Sequence, residues 1–275
     1  MTRSQLATLV QGVQLPQTNV KHERNSADGY AFLGAARYLL GLETGELAQE
    51  VLNRRFRLGG EQEINGVAMS ADADYTYLLW ACFEFFSLLG RKAVLSDIQS
   101  RITQIGCYPD GLVRYSNEEC HYVVPNVTAC AAKVYDAMGL DNHTGVLLER
   151  FLPLQVEGNW HYYRDDGTDL GFGEEPAHLA LIVFLLRGLA KHDYGEALPK
   201  AVGFSVETLC KKNWRRIRMG TINWGPAFLL LAVVGLEKKL AKRAYQAVIS
   251  NGVNAPNFRA RALSLWTLAR CEEML

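Results

Sequence analysis

The chain has 275 residues, with 29 basic side chains balancing 29 acidic ones and 49% hydrophobic residues. It is long enough to bury a sizeable core, and its even charge gives no basis for nucleic acid as a partner. No apolar run approaches the roughly 20 residues of a membrane span, and the first residues lack the apolar stretch of a secretory signal, so a cytoplasmic protein is expected.

Almost every long segment carries apolar residues three and four apart, the period of a helix. Residues 3–13 form a short helix. Six later segments are apolar on most sides, as helices enclosed by other helices must be: 28–42, 74–90, 126–140, 175–190, 224–236 and 257–271. Between them run amphipathic segments at 45–57, 91–105, 143–155, 194–213 and 238–250. In 45–57, Leu47, Val51, Leu52 and Phe56 share one side and the charges the other.

Through the middle of the chain the apolar helices recur about every 50 residues, a helical-hairpin repeat. Apolar-to-amphipathic turns are short, whereas the return loops 58–73, 106–125, 156–174 and 214–223 are mostly long. A hairpin repeat therefore gathers the long loops on one rim. An open solenoid would show the same asymmetry. The last apolar helix, however, has no amphipathic partner after it, and helix 3–13 has no apolar partner before it. Pairing them closes twelve helices into a ring without an exposed end. The expected fold is all-α, an (α/α)6-type toroid in a single domain over 1–275.

The loops carry further signals. GNWHYYRDDG (158–167) precedes HLALIVFLLRGL (178–189), and DGLVRYS (110–116) precedes PNVTACAAKVYDAMG (125–139). A Gly-x-Trp-x-Tyr loop followed by a small-residue helix resembles the α/α toroids of the terpenoid cyclase and protein prenyltransferase superfamily. ADADYT (71–76) is similar to the Asp-x-Asp-Asp-Thr box of class II terpene cyclases: Asp72, Asp74 and Thr76 match, but Tyr75 stands where an Asp belongs. The chain also resembles single toroids of polysaccharide-biosynthesis proteins with a Gly-x-Trp-x-Tyr loop and a following His helix.

On this reading the long loops ring the mouth of a central cavity. Carboxylates crowd there: Asp72, Asp74, Asp165, Asp166, Asp169 and Glu175. Taken singly, Asp28, Asp74, Asn126 and Glu174 read as helix caps. Crowded carboxylates repel one another, so one can keep its proton near neutral pH and donate it. Asp74 is the leading acid, with Asp72, Asp165, Asp166, Glu175 and His178 beside it. Trp160, Tyr162, Tyr115 and Trp224 supply aromatic walls, and Arg114 and Arg164 a basic rim. No cofactor is expected. Cys107, Asp110, Cys120, His121 and His178 are possible zinc donors, but no ligand pair has metal-site spacing, so no metal is assigned. Cys82, Cys130 and Cys210 lie in apolar helices and read as buried free thiols.

The first expectation for function is an enzyme of terpenoid-cyclase-like fold that protonates an isoprenoid or similarly apolar substrate. The second is a carbohydrate-active or polysaccharide-biosynthesis protein that takes a glycan in the cavity, and the third a toroid that binds a peptide or protein without catalysis. A deep apolar cavity favours the first, an open polar groove the second and a filled central channel the third.

Overall fold

The computed structural model describes residues 1–16, 26–60, 62–64, 67–118, 122–164, 168, 176–189, 191–211, 225–236 and 238–272. Among these, twelve α-helices follow in order. They are α1 (Arg3–Gln11), α2 (Ala27–Leu39), α3 (Gly45–Asn53), α4 (Thr76–Leu88), α5 (Lys92–Ile105), α6 (Pro125–Ala137), α7 (Asp141–Phe151), α8 (Pro176–Arg187), α9 (Ala197–Lys211), α10 (Gly225–Val233), α11 (Lys238–Ala247) and α12 (Phe258–Cys271). Two short antiparallel ribbons sit in the long loops: β1 (Gln62–Ile64) with β2 (Val67–Met69), and β3 (Tyr122–Val123) with β4 (Tyr163–Arg164).

The even-numbered helices pack in a closed circuit: α2 on α4, α4 on α6, α6 on α8, α8 on α10, α10 on α12, and α12 back on α2. Each has an outer partner; α3, α5, α7, α9 and α11 back α2, α4, α6, α8 and α10, and α1 backs α12. The fold is an all-α toroid, closed by the N-terminal and C-terminal helices as the unpaired ends required. Composition explains the layering. Every residue from Gly225 to Val233 in α10 is buried, whereas α11 buries only Leu240, Ala241, Ala244 and Ala247. A helix apolar all round must be enclosed, and one with a single apolar stripe faces water on its other side.

The short turns after α2, α4 and α6 share one construction. After α2, Gly41 adopts φ +73°, and the Leu42 N–H reaches back to the Arg37 carbonyl at 2.9 Å. This left-handed terminus favours glycine because a side chain would clash. The glycines that punctuate the repeat in the sequence are thus turn residues.

Cations cover the carbonyls at this end of the ring. Arg187 of α8 donates to Ala232 and Val234 carbonyls at 2.6 and 3.0 Å, Lys133 of α6 to Gly188 at 2.9 Å, and Arg3 of α1 to Leu39 at 2.6 Å. Positive charge at helix C-termini offsets the partial negative charge there. Among the described residues no helix is long and apolar enough to cross a membrane.

Candidate functional site

The long loops converge at the opposite rim, where the inner helices begin, and backbone bonds stitch neighbouring loops together. The Thr76 N–H donates to the Tyr115 carbonyl at 3.0 Å, and Thr76 Oγ1 to the Arg114 carbonyl at 2.8 Å. The Asp74 N–H donates to Asn117 Oδ1 at 3.0 Å. One loop on, β3 pairs with β4, joining Tyr122 to Arg164 and Val123 to Tyr163. Leu58, Met69, Ala73, Tyr75 and Leu78 form a small separate hydrophobic cluster under these loops, with Tyr77 and Tyr115 against it.

Two polar groups stand at the starts of the inner helices. In the first, Asp28 near the start of α2 meets Arg259 near the start of α12. Both are buried, at 0% and 4% exposure. Arg259 Nε donates to Asp28 Oδ1 and Oδ2 at 2.9 and 3.0 Å, and Nη2 to Oδ2 at 2.8 Å. The Ser26 hydroxyl and the Gly29 N–H also donate to Oδ1. Burial alone would pull the guanidinium pKa down, but the Asp28 charge more than offsets it and holds the pKa raised. The Tyr77 phenol lies within electrostatic reach of this pair. Burial pushes its pKa well up, and the Asp28 charge adds to that.

In the second group, His178 of α8 stacks on Tyr162, with ring centroids 4.9 Å apart and planes inclined by 28°. The Tyr162 hydroxyl donates to Asn126 Oδ1 of α6 at 3.5 Å. His178 Nδ1 is buried without a hydrogen-bond partner. Burial lowers the imidazole pKa to about 3, so the ring is neutral at physiological pH. It therefore offers hydrogen bonding, and not the proton exchange near pH 7 that an unperturbed histidine provides. A folded-state pKa near 3 against about 6.5 in the unfolded chain means that the unfolded state binds more protons between those values. As pH falls from about 6.5 towards 3, this residue should remove up to about 1.4 kcal/mol of stability per pH unit. Denaturant titrations at stepped pH should show that slope reduced in His178→Gln.

The structure redistributes the residues singled out in the sequence. Asp74 is buried but does not stand in an apolar setting: Arg101 Nη1 lies 3.2 Å from both its oxygens, and Arg57 Nε lies 3.8 Å away. Nor does it cap α4, whose N-cap is Tyr75. Asp72 projects into solvent with 96% of its side chain exposed, 3.8 Å from Arg57, so the two aspartates of the DADYT stretch do not form a dyad. Asp28 and Asn126, read singly as caps, both lie inside their helices; Asp28 accepts from the Gly29 N–H and also from Arg259, and Asn126 accepts from Tyr162.

Trp160 is a structural anchor. It stacks on Phe151 at 4.8 Å, and its indole N–H donates to the Phe151 carbonyl at 3.0 Å. Arg114 is exposed, its guanidinium over the Tyr108 ring, while Tyr115 packs 5.6 Å from Tyr75. Asp165, Asp166, Asp169, Glu174, Glu175, Trp224, Cys120, His121 and the side chains of Arg164 and Cys210 lie outside the described residues. Cys82 and Cys130 are buried free thiols, and Cys107 is exposed. Among the described residues no three His, Cys, Asp or Glu side chains converge as a metal site would require. Arg259 and Tyr77 escaped the sequence reading. The signal for Arg259 was an arginine at the second position of an inner helix, where a charge needs a buried partner.

Below the mouth the axis is filled. Trp80 of α4 and Phe184 of α8 each lie 6.2 Å from Trp266 of α12, and Phe32 of α2 lies 4.9 Å from it. Neither α4 nor α8 neighbours α12 in the ring, so these side chains meet on the axis. Beneath them Arg270 lies over the Phe184 and Trp266 rings and 3.5 Å from Glu84. The described interior thus holds an aromatic plug where an isoprenoid-binding cyclase would need a deep apolar cavity.

No protein-family model matches the chain, and no curated protein matches it. Solved structures match over nearly its whole length. One is a D-mannose isomerase, with TM-score 0.63, 12% identity, and coverage of 98% of this chain and 95% of that one. Another is a family 76 glycoside hydrolase, a mannosidase, from Bacteroides thetaiotaomicron, with TM-score 0.63, 10% identity and 98% of each chain covered. A possible family 105 glycoside hydrolase from Salmonella enterica gives TM-score 0.65, 12% identity, and coverage of 98% and 95%. At such identities the likeness is one of fold. It supports the α/α toroid and does not support the terpenoid cyclase superfamily.

Proposed function

We propose that this chain is a carbohydrate-active enzyme that takes a sugar at the mouth of the toroid. The observation that carries the reading is the group formed by His178, Tyr162 and Asn126: a neutral imidazole with an unpartnered nitrogen, an aromatic face and an amide, gathered at the starts of α6 and α8. Such a mixture suits a sugar, whose ring presents apolar faces to aromatics and hydroxyls to polar groups. Its setting supports the same reading, because whole-length structural neighbours bear the names of a mannose isomerase and glycoside hydrolases.

Asp28 and Asp74 are engaged by arginines, which leaves the acid role to other groups. That role falls to the carboxylates between β4 and α8: Asp165, Asp166 and Glu175. They lie in sequence between Tyr162 and His178. Acid–base work on a sugar needs two such groups at controlled spacing. A second reading, sugar binding without turnover, is favoured by the filled axis and by the arginine-neutralised aspartates.

Calorimetric titration with D-mannose and short mannosides, with products followed by NMR, tests both readings. Tyr162→Ala and His178→Ala should each weaken binding about tenfold or more, a loss of about 1.4 kcal/mol. Asp165→Asn, Asp166→Asn or Glu175→Gln should abolish product formation while binding persists. Absence of binding by the unaltered protein, or binding indifferent to both aromatic-site changes, would count against a sugar site there. Binding without any product selects the second reading.

A further inference from the structure

A cavity of about 660 Å³ opens on the far side of the ring, where the chain's two ends meet. It is lined by Leu236 in the turn after α10, by Lys238, Ala241, Lys242 and Tyr245 on one face of α11, and by Glu272 beyond α12. These residues stand apart from His178, Tyr162 and the inner-helix starts.

Among the described residues, the charges on this cavity are not compensated from within. Lys238 and Lys242 are one helical turn apart, a spacing at which like charges repel. Both are exposed, and neither meets a carboxylate among the described residues. Lys238 is also the first residue of α11, where the helix end already carries partial positive charge. The one acidic residue of the described lining, Glu272, is held by Arg3 at 3.0 Å. α11 contains no acidic residue. Alongside the lysines lie apolar surfaces: Leu236, 48% exposed, Ala241 and the half-buried Tyr245. A volume in the few-hundred-Å³ range, apolar walls and a few charged groups are the ordinary properties of small-molecule sites.

We infer that this cavity binds a small organic anion, its phosphate or carboxylate between Lys238 and Lys242 and its apolar body against Leu236, Ala241 and Tyr245. This site is independent of the sugar reading.

The probe is hexyl phosphate, with hexanol as the uncharged control, each titrated into the full chain by calorimetry at low and at moderate salt. Hexyl phosphate should bind at least tenfold more tightly than hexanol, and more weakly as salt rises. The double variant Lys238→Gln/Lys242→Gln should lose at least tenfold in affinity, because exposed lysines can be neutralised without touching the core. His178→Ala, at the opposite rim, should bind the probe as the unaltered protein does. Equal affinity for hexanol and hexyl phosphate, no measurable binding of either, or unchanged binding by the double variant overturns the site. A loss in His178→Ala would do the same, by assigning the probe to the mouth.

Discussion

Replacing Arg259 with methionine is expected to destabilise the protein by about 3–5 kcal/mol, because it strands the Asp28 carboxylate in the interior. Asp28→Leu should cost a similar amount by stranding the guanidinium. The pair is fully desolvated and doubly bonded, and it ties the first inner helix to the last. Neither charge can return to water unless that seam opens. The double variant Asp28→Leu/Arg259→Met should recover much of the loss, since with both charges gone no unpaired ion remains and apolar side chains suit the site. Guanidinium denaturation of the four proteins gives the coupling energy as a double-mutant cycle. Single variants within 1 kcal/mol of the parent, or a double variant that loses the sum of both, would show that the pair does not hold the seam.

Removal of residues 1–14 should have an effect of the same order by a different route. Leu6 and Val10 of α1 are 2% and 0% exposed, and α1 lies against both α12 and α2. Burial of a large apolar side chain is worth about 1.5–3 kcal/mol. Losing these two, and baring the surfaces they cover, should therefore cost several kcal/mol. The Arg3–Glu272 pair adds little, because Arg3 is half exposed and the pair is screened by water. For a chain of this size the melting temperature should fall by roughly 10–20 °C. A truncated protein that melts with the full chain would mean that closure does not depend on α1.

The acidic loop stretches raised the hardest question, and the sequence misled there in an instructive way. DADYT resembles an acid box because it puts two carboxylates two residues apart. Spacing along the chain does not say which cations fold back upon them. Arg57 comes from the loop after α3 and Arg101 from α5, and both converge on Asp74 while Asp72 turns outward. Trp160 likewise carries the aromatic signature of the loop but spends its ring on Phe151 and its N–H on a carbonyl. Tyr162, two residues on, lies instead against His178.

The sequence by itself determined the helices, their alternation of enclosed and half-exposed faces, the side on which the long loops gather, and the closure of the ring. All of these follow from hydrophobic periodicity, which is local, and from the need to cover apolar ends. Only the tertiary structure decided which polar residues meet. Asp28 and Arg259 are 231 positions apart, and Asn126 and Tyr162 are 36. It also decided that Trp80, Phe184 and Trp266 fill the axis. Those encounters depend on the rotation of each inner helix about its own axis. A helix apolar on every side leaves that rotation unspecified in the sequence, and packing against its two ring neighbours and its outer partner fixes it.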